Sequence, residues 1–293
     1  MRPAVHVSEQ VPAEVDAALR RDFELVPSPQ GAEGIVAMLT VTIDDAYLEA
    51  AGAQLQVVAN YAVGVNNIDL EAARRRGIVI ANTPDVLTRA TAEIALTLML
   101  SLLRRVTEGD RFVRRRTPWQ FSLEFMLGES LEGKTVLIVG AGRIGRETAR
   151  LAEAFGAHIV LAGSDDELDT LLPDADVISL HTPLTPQTRH LIDARRLRLM
   201  KPTAVLINTS RGPVVDEAAL AEALRAGVIG GAGLDVYERE PDVTEALLPL
   251  ENVVLAPHLG SATRDTRVAM GMLCVGALRA VLLEGRTPAN AVA

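Results

Sequence analysis

Three short stretches late in the chain carry side chains that could do chemistry together. Thr209-Ser210-Arg211-Gly212 follows the apolar run AVLIN. Asp235 closes the run GAGLDV and is followed by Glu238, Glu240 and Pro241. Pro257-His258-Leu259-Gly260 follows NVVLA. An arginine can grip a carboxylate through two parallel hydrogen bonds. A histidine can move a proton near neutral pH. A carboxylate bonded to its far ring nitrogen fixes the tautomer and favours the charged form. Each residue alone has an ordinary explanation: a loop histidine is usually structural, a lone arginine a surface ion pair, a glutamate solvated. The functional reading of Arg211, Glu240 and His258 rests on their equivalent places after successive strands, where ligands of open α/β sheets sit.

A fourth stretch, TVLIVGAGRIGRETARLAEAFGA, runs a hydrophobic strand straight into Gly140-Ala141-Gly142-Arg143-Ile144-Gly145, where a helix opens. The first glycine allows the tight turn and the second lets backbone approach a pyrophosphate. The third permits close helix–strand packing, and the helix N-terminus faces the anion. A glycine turn used only for packing is the alternative. The strand–turn–helix context favours a nucleotide site.

Positioning these loops takes two alternating series of elements. AVHV, FELV, GIVAML, LQVVAN and IVIAN read as strands, with helix-like DDAYLEAAG and DLEAARRRG between them; a glycine stop signal ends the latter. A helix spans about Thr88 to Arg105. The second series starts at KTVLIVG and continues through HIVLA, DVISLH, AVLINTS, IGGAGLDV and NVVLAPH. One long helical pattern closes the chain from Arg264 to Leu283. Such alternation means βαβ units, parallel sheets and an α/β fold of two doubly wound domains. No flexible linker separates them, so a cleft between them is expected.

The chain has 293 residues, 48% hydrophobic and 23% charged, enough for two packed cores. The net charge of −9 argues against a nucleic-acid partner. The run Arg114-Arg115-Arg116 reads as a solvated helix end or subunit contact. A single cysteine, Cys274, excludes an intrachain disulfide and fits a reducing compartment. No signal-like or membrane-spanning segment is evident, so a cytoplasmic protein without membrane contact is expected. No ligand cluster suggests a metal.

The motifs NYAVGVNNID (60–69), NTPDVLTRATAEIAL (82–96), VGAGRIG (139–145), SLHTPLTPQT (179–188), LINTSRGPVVDEAAL (206–220), GAGLDVYEREP (231–241) and NVVLAPHLGSAT (252–263) follow one another in order. With them the chain resembles the D-isomer-specific 2-hydroxyacid dehydrogenase family over nearly its whole length, closest to the glyoxylate/hydroxypyruvate reductase branch. The resemblance implies a flavodoxin-like substrate domain, residues 1–91 plus 266–293. It also implies an inserted Rossmann cofactor domain, residues 92–265. Arg211 matches the arginine that binds the substrate, His258 the acid–base histidine, and Glu240 the glutamate that orients it and raises its pKa. Val63 and Gly64 match a loop whose backbone N–H groups hold the substrate carboxylate. Thr91 matches a residue near the nicotinamide, Asp235 one that meets its carboxamide, and Thr209 lies along the cofactor path. Gly140, Gly142, Arg143, Ile144 and Gly145 sit at the pyrophosphate turn. A homodimer through the cofactor domain is implied, with Arg104 to Leu131 supplying part of the surface.

One stretch departs from the pattern. After the strand HIVLA a ribose-binding acid is expected, and Gly163 stands there. Asp165 or Asp166 could reach in instead. Family members usually add a helix and a short strand at this point. Residues 163–175 suffice for one crossover only. One outer strand is therefore expected to be missing, leaving HIVLA at or near the sheet edge. Losing the acid removes a barrier to NADP, yet no Arg or Lys lies between 159 and 188 to welcome its 2′-phosphate. The expectation is weak binding of NAD or NADP, with NAD slightly favoured. Two further readings stay open: D-3-phosphoglycerate dehydrogenase, and a catalytically weak NAD-sensing binding protein. The chain ends after its return helix, with no sign of a regulatory domain, which disfavours the first. The complete Arg211, Glu240 and His258 disfavour the second.

Overall fold

Every apolar run of the N-terminal series becomes a parallel strand. In chain order these elements are β1 (Ala4–Val7), α1 (Ala13–Asp22), β2 (Glu24–Val26), β3 (Gly34–Ala37), α2 (Asp45–Ala51), β4 (Val57–Asn60), α3 (Leu70–Arg75) and β5 (Val79–Ala81). The sheet order is β2-β1-β3-β4-β5, parallel throughout. β3 and β4 are buried along their whole length, which is why they read as continuous apolar runs rather than alternating ones. Asp44 and Asp69 start α2 and α3, their carboxylates accepting from the N–H of Tyr47 and Ala72. Gly77, with φ 69°, follows the end of α3 in the left-handed conformation that stops a helix.

This computed structural model describes residues 2–164 and 166–292. They fall into two units, Met1–Leu87 with Ala262–Ala293, and Thr88–Ser261. The second unit contains α4 (Thr88–Leu103), α5 (Val106–Arg114), β6 (Thr135–Val139), α6 (Arg143–Ala154), β7 (His158–Ala162), α7 (Leu168–Leu171), β8 (Val177–Leu180), α8 (Ala194–Leu197), β9 (Val205–Asn208), α9 (Glu217–Arg225), β10 (Gly231–Leu234) and β11 (Val253–Leu255). α10 (Arg264–Leu282) returns to the first unit and packs on β4, β3, β5 and α1.

The helix expected to reach Arg105 stops at Leu103. Arg105 takes a left-handed φ of 52° and starts α5 instead. The break costs about 1–2 kcal/mol for a residue with a Cβ. Arg105 is held there by its guanidinium, which bonds both carboxylate oxygens of Glu108.

The six-stranded sheet has the order β11-β10-β9-β8-β6-β7 and is parallel. Alternate residues of its strands enter two cores. Val136, Ile138 and Ile207 pack with Met99 of α4, whereas Leu137, Leu206 and Leu180 pack on the opposite face with Leu220 and Leu224 of α9. From β6 the chain crosses to β7 on one side and then returns past β6 to β8 on the other. The order thus reverses between β6 and β8, and a crevice opens outside their carboxyl ends. That edge carries Gly140, His181 and Gly163 side by side: Gly140 donates to the Ala162 carbonyl at 2.9 Å and His181 to the Val139 carbonyl at 2.7 Å.

β7 is the edge strand. Among the described residues no strand lies between 163 and 175; the chain makes only α7 and a 3-10 turn, Leu172–Asp174. The short crossover is tied down by Asp169, which pairs with Arg196 at 2.8 Å and with Arg195. Among the described residues no strand pairs with β7 on its outer side. No helix among the described residues is long and apolar enough to cross a membrane.

Candidate active site

The loops after β9, β10 and β11 build one cluster in the second unit. His258 Nδ1 lies 2.6 Å from Glu240 Oε2. The other Glu240 oxygen accepts the Tyr237 N–H at 3.0 Å. Burial pushes the Glu240 carboxyl up. The His258 bond and charge, the Tyr237 N–H and the Arg211 charge outweigh this and hold it below its ordinary value, so it is ionised at neutral pH. Burial lowers Arg211 from its ordinary value, opposed by the charge of Glu240. The Arg211 guanidinium donates to the Ser210 carbonyl at 2.6 Å. Asn208, fully buried at the end of β9, fixes the loop by donating to the Arg211 carbonyl at 2.9 Å.

His258 has a φ of 55°, an uncommon conformation for a residue with a Cβ. Such strain persists only where the surroundings over-determine it. Asp235 supplies this, accepting from the N–H of Leu259 at 2.6 Å and of Gly260 at 2.8 Å. Burial raises the Asp235 carboxyl, although those two N–H groups and the His258 charge oppose it. Both Asp235 oxygens thus hold the turn that carries His258. Thr91, from α4, donates to the Gly260 carbonyl at 3.1 Å and braces the same turn.

The Glu240 turn is also braced by residues that the sequence did not single out. Glu217, in the first turn of α9 and 2% exposed, accepts the Glu238 N–H at 2.6 Å and the Thr244 hydroxyl. His190 Nε2 bonds Glu238 at 2.5 Å. A side chain at Gly212 would overlap the Tyr237–Glu238 peptide, so the arginine loop and the glutamate loop lie in backbone contact.

The crevice at β6 and β8 fits a dinucleotide. Gly140 has a φ of 101°, and a Cβ there would sit 2.7 Å from the His181 carbonyl carbon. A Cβ on Gly145 would overlap the Gly140 carbonyl, whereas one on Gly142 would meet nothing within 4 Å. The twelve-residue α6 starts at Gly142 with no side-chain cap, and its first turn is formed by Arg143, Ile144 and Gly145. Two buried hydroxyls at the same sheet edge, Thr182 after β8 and Thr209 after β9, have no partner among the described residues. An orphaned buried hydroxyl costs about 1–3 kcal/mol unless something bonds it. These are the donors and the open backbone that a pyrophosphate and ribose require. Thr182 was missed from sequence, its only signal being its place after a strand that ends SLH. Beside it, burial pushes His181 down to about 4, so its ring is neutral at neutral pH and bonds Ser179 at 2.9 Å.

At the ribose position Gly163 donates its N–H to Asp166 Oδ2 at 2.6 Å. Asp166, not a strand-end acid, therefore brings a carboxylate to the tip of β7. Asp165, the other candidate, lies outside the described residues. Val63 and Gly64 lie in the first unit, in the turn after β4. Among the described residues no cluster of three or more metal-ligating side chains occurs.

A phosphate turn at the sheet's switch point and an acid–base pair on neighbouring strand ends define a nucleotide-dependent oxidoreductase. The family model described as D-isomer specific 2-hydroxyacid dehydrogenase, NAD binding domain, matches residues 96–260. A glyoxylate reductase of Thermococcus litoralis is 42% identical over 323 aligned positions, covering 100% of this chain and 97% of the relative. Those 323 positions exceed the 293 residues here by about 30, a shortfall the size of one strand and helix with their turns. A protein of Thermus thermophilus has a solved structure with a TM-score of 0.93 and 42% identity, covering 99% of this chain and 100% of that one. The solved NADPH-dependent glyoxylate/hydroxypyruvate reductase of Sinorhizobium meliloti, in complex with NADP and malonate, gives 0.87 and 35%, covering 100% and 97%. The chain belongs to the D-isomer specific 2-hydroxyacid dehydrogenase family. It is an oxidoreductase that uses a nicotinamide cofactor.

Proposed function

We propose that this chain reduces glyoxylate or hydroxypyruvate to the matching 2-hydroxy acid. The observation that carries the reading is the 2.6 Å His258–Glu240 pair beside the partly buried Arg211. Relatives named glyoxylate reductase support the substrate class. Reduced nicotinamide, when bound, supplies a hydride to the keto carbon. Nε2 of His258, its far nitrogen held by Glu240, gives the carbonyl oxygen a proton. Arg211 grips the substrate's carboxylate and carbonyl, and the N–H groups of Val63 and Gly64 take the carboxylate. Residues 1–91 with 266–293 serve the substrate in this reading, and 92–265 serve the cofactor. Gly140, Gly142, Arg143, Ile144 and Gly145 hold the pyrophosphate; Thr91, Thr209 and Asp235 line the rest of the path.

NAD is slightly favoured over NADP, because Asp166 is the only described carboxylate held at the tip of β7 and would repel a 2′-phosphate. Initial rates with a panel of 2-keto acids, followed by the absorbance of the reduced nicotinamide, test both points. Glyoxylate or hydroxypyruvate should lead the panel, with NADH ahead of NADPH by no more than about tenfold. Asp166→Ser should narrow that ratio by roughly three- to tenfold, the net worth of one ordinary hydrogen bond. Absence of turnover with every acid, or tight and selective NADPH binding, would count against the reading.

The chain is further proposed to form a homodimer through α5 and the segment up to Leu131. α5 buries none of its residues, and Phe121 and Leu123 are 81% and 85% exposed. Phe112, Trp119 and Phe125 form an aromatic cluster beside them, with ring centroids 5.5 Å apart. Exposed apolar groups gathered in this way mark an interaction surface. Light scattering should give twice the monomer mass, and Phe121→Asp with Leu123→Asp should give one monomer mass. A wild-type monomer would exclude the dimer.

A further inference from the structure

The turn between β4 and α3, Tyr61 to Asn67, is held by side-chain amides rather than by its own backbone. The Asn82 side-chain N–H donates to the Val63 carbonyl at 2.8 Å, and that of Asn60 donates to the Gly64 carbonyl at 2.8 Å. The Ala62 carbonyl accepts the Thr83 N–H at 2.9 Å. Three successive carbonyls are thus pinned towards the ends of β4 and β5. In a trans peptide the C=O and the following N–H point in opposite directions. The N–H groups of Val63, Gly64 and Val65 therefore face away from the asparagines. None of the three has an acceptor among the described residues.

The amides have one consistent orientation. Asn60, fully buried, turns its oxygen to the Asn67 NH2 group at 3.2 Å, and the same NH2 group donates to the Val41 carbonyl at 3.1 Å. Flipping Asn60 would set NH2 against NH2 and oxygen against the Gly64 carbonyl. Asn82 is itself clamped by Asn290 of the C-terminal tail. Its N–H donates to the Asn290 carbonyl at 3.1 Å, and its carbonyl accepts the Asn290 side-chain N–H at 2.5 Å.

We propose that Asn60 and Asn82 are positioning residues that fix the N–H groups of Val63, Gly64 and Val65 as one seat for the substrate's carboxylate, with Asn290 fixing Asn82. The inference rests on the reading that this turn receives that carboxylate. It adds a third donor, Val65, and the frame that orients all three. Row-like sets of backbone N–H groups are anion-binding concavities. Their value lies in being oriented before the anion arrives, so that binding does not spend ordering entropy.

The test compares glyoxylate with its uncharged methyl ester in wild type, Asn82→Ala and Asn290→Ala. Asn82→Ala should raise KM for glyoxylate by about three- to tenfold, the loss of one orienting hydrogen bond. The kcat, the cofactor Kd and the ester kinetics should hold. Asn290→Ala should move KM in the same direction by less, and it decides the matter if Asn82→Ala does not fold. Wild-type KM in the folded variants, a fall in kcat instead, or an equal rise for the ester would overturn the asparagine frame. If the wild-type enzyme treats ester and acid alike, the carboxylate reading of the turn fails, and the frame's role fails with it. If wild type prefers the acid and Asn82→Ala and Asn290→Ala keep that full preference, only the frame fails.

Discussion

A chain with glutamine in place of His258 should reduce glyoxylate about 10²–10⁴ times more slowly, the usual worth of general acid–base help. Its melting temperature and cofactor Kd should stay close to wild type. His258 lies in a loop, partly exposed and 2.6 Å from Glu240, outside every helix and strand. Glutamine can keep a hydrogen bond to Glu240 but cannot deliver a proton. Glu240→Gln should be milder in rate and should act on the pH profile. Glu240 is ionised at neutral pH because the His258 bond and its neighbours outweigh burial. Without that negative charge a proton on the pair is harder to hold, so the basic limb of kcat/KM should move to lower pH. Stopped-flow rates across pH check both variants. Unchanged turnover in His258→Gln would remove His258 from its assigned role. A pH profile that Glu240→Gln leaves unmoved would reduce Glu240 to a steric prop.

The strands were legible because parallel strands buried on both faces must be apolar throughout. Runs such as VVAN and VISL therefore announce themselves without alternation. Gly140 and Gly145 were legible because a close backbone approach admits no Cβ, and Gly142 because a pyrophosphate needs open backbone at that place in the turn. The short crossover followed from counting residues 163–175 against the length a parallel connection needs. The bracing residues were not legible. Glu217 looks like any acid in a first helical turn, and only the fold shows its carboxylate beneath the Glu238 N–H. Asn60 and Asn82 end ordinary strands, and their work depends on carbonyls of a turn whose path no periodicity encodes. Asp235 was read only towards the cofactor, and the bonds its oxygens make to the N–H groups of Leu259 and Gly260 were not foreseen. A carboxylate at a strand tip has several possible partners, and sequence alone does not rank them.

Gly212→Ala should prove as damaging to catalysis as a change outside the acid–base pair can be. The added Cβ would overlap the backbone of Tyr237 and Glu238, not the end of a flexible side chain. No rotamer can relieve that, so the Arg211 loop and the Glu240 turn must move apart. Glu217 and His190 both bond Glu238, so moving that peptide also strains the contacts that brace the Glu240 turn. A displacement of about 1 Å between groups that must converge can cost roughly 100-fold in rate. The expected loss in kcat/KM is of that order. Stability should fall by about 1–3 kcal/mol, as for other overpacked sites. Gly227→Ala separates the two effects. Gly227 has a φ of 67° and nothing within 4 Å of a Cβ, so alanine there strains the backbone far from the chemistry. It should lower the melting temperature and leave kcat/KM within about twofold of wild type, since a loss of the order of 1 kcal/mol in stability leaves nearly all molecules folded. Should both variants lose rate in proportion to stability, activity would track folding alone. The close approach of the two loops would then have no share in catalysis.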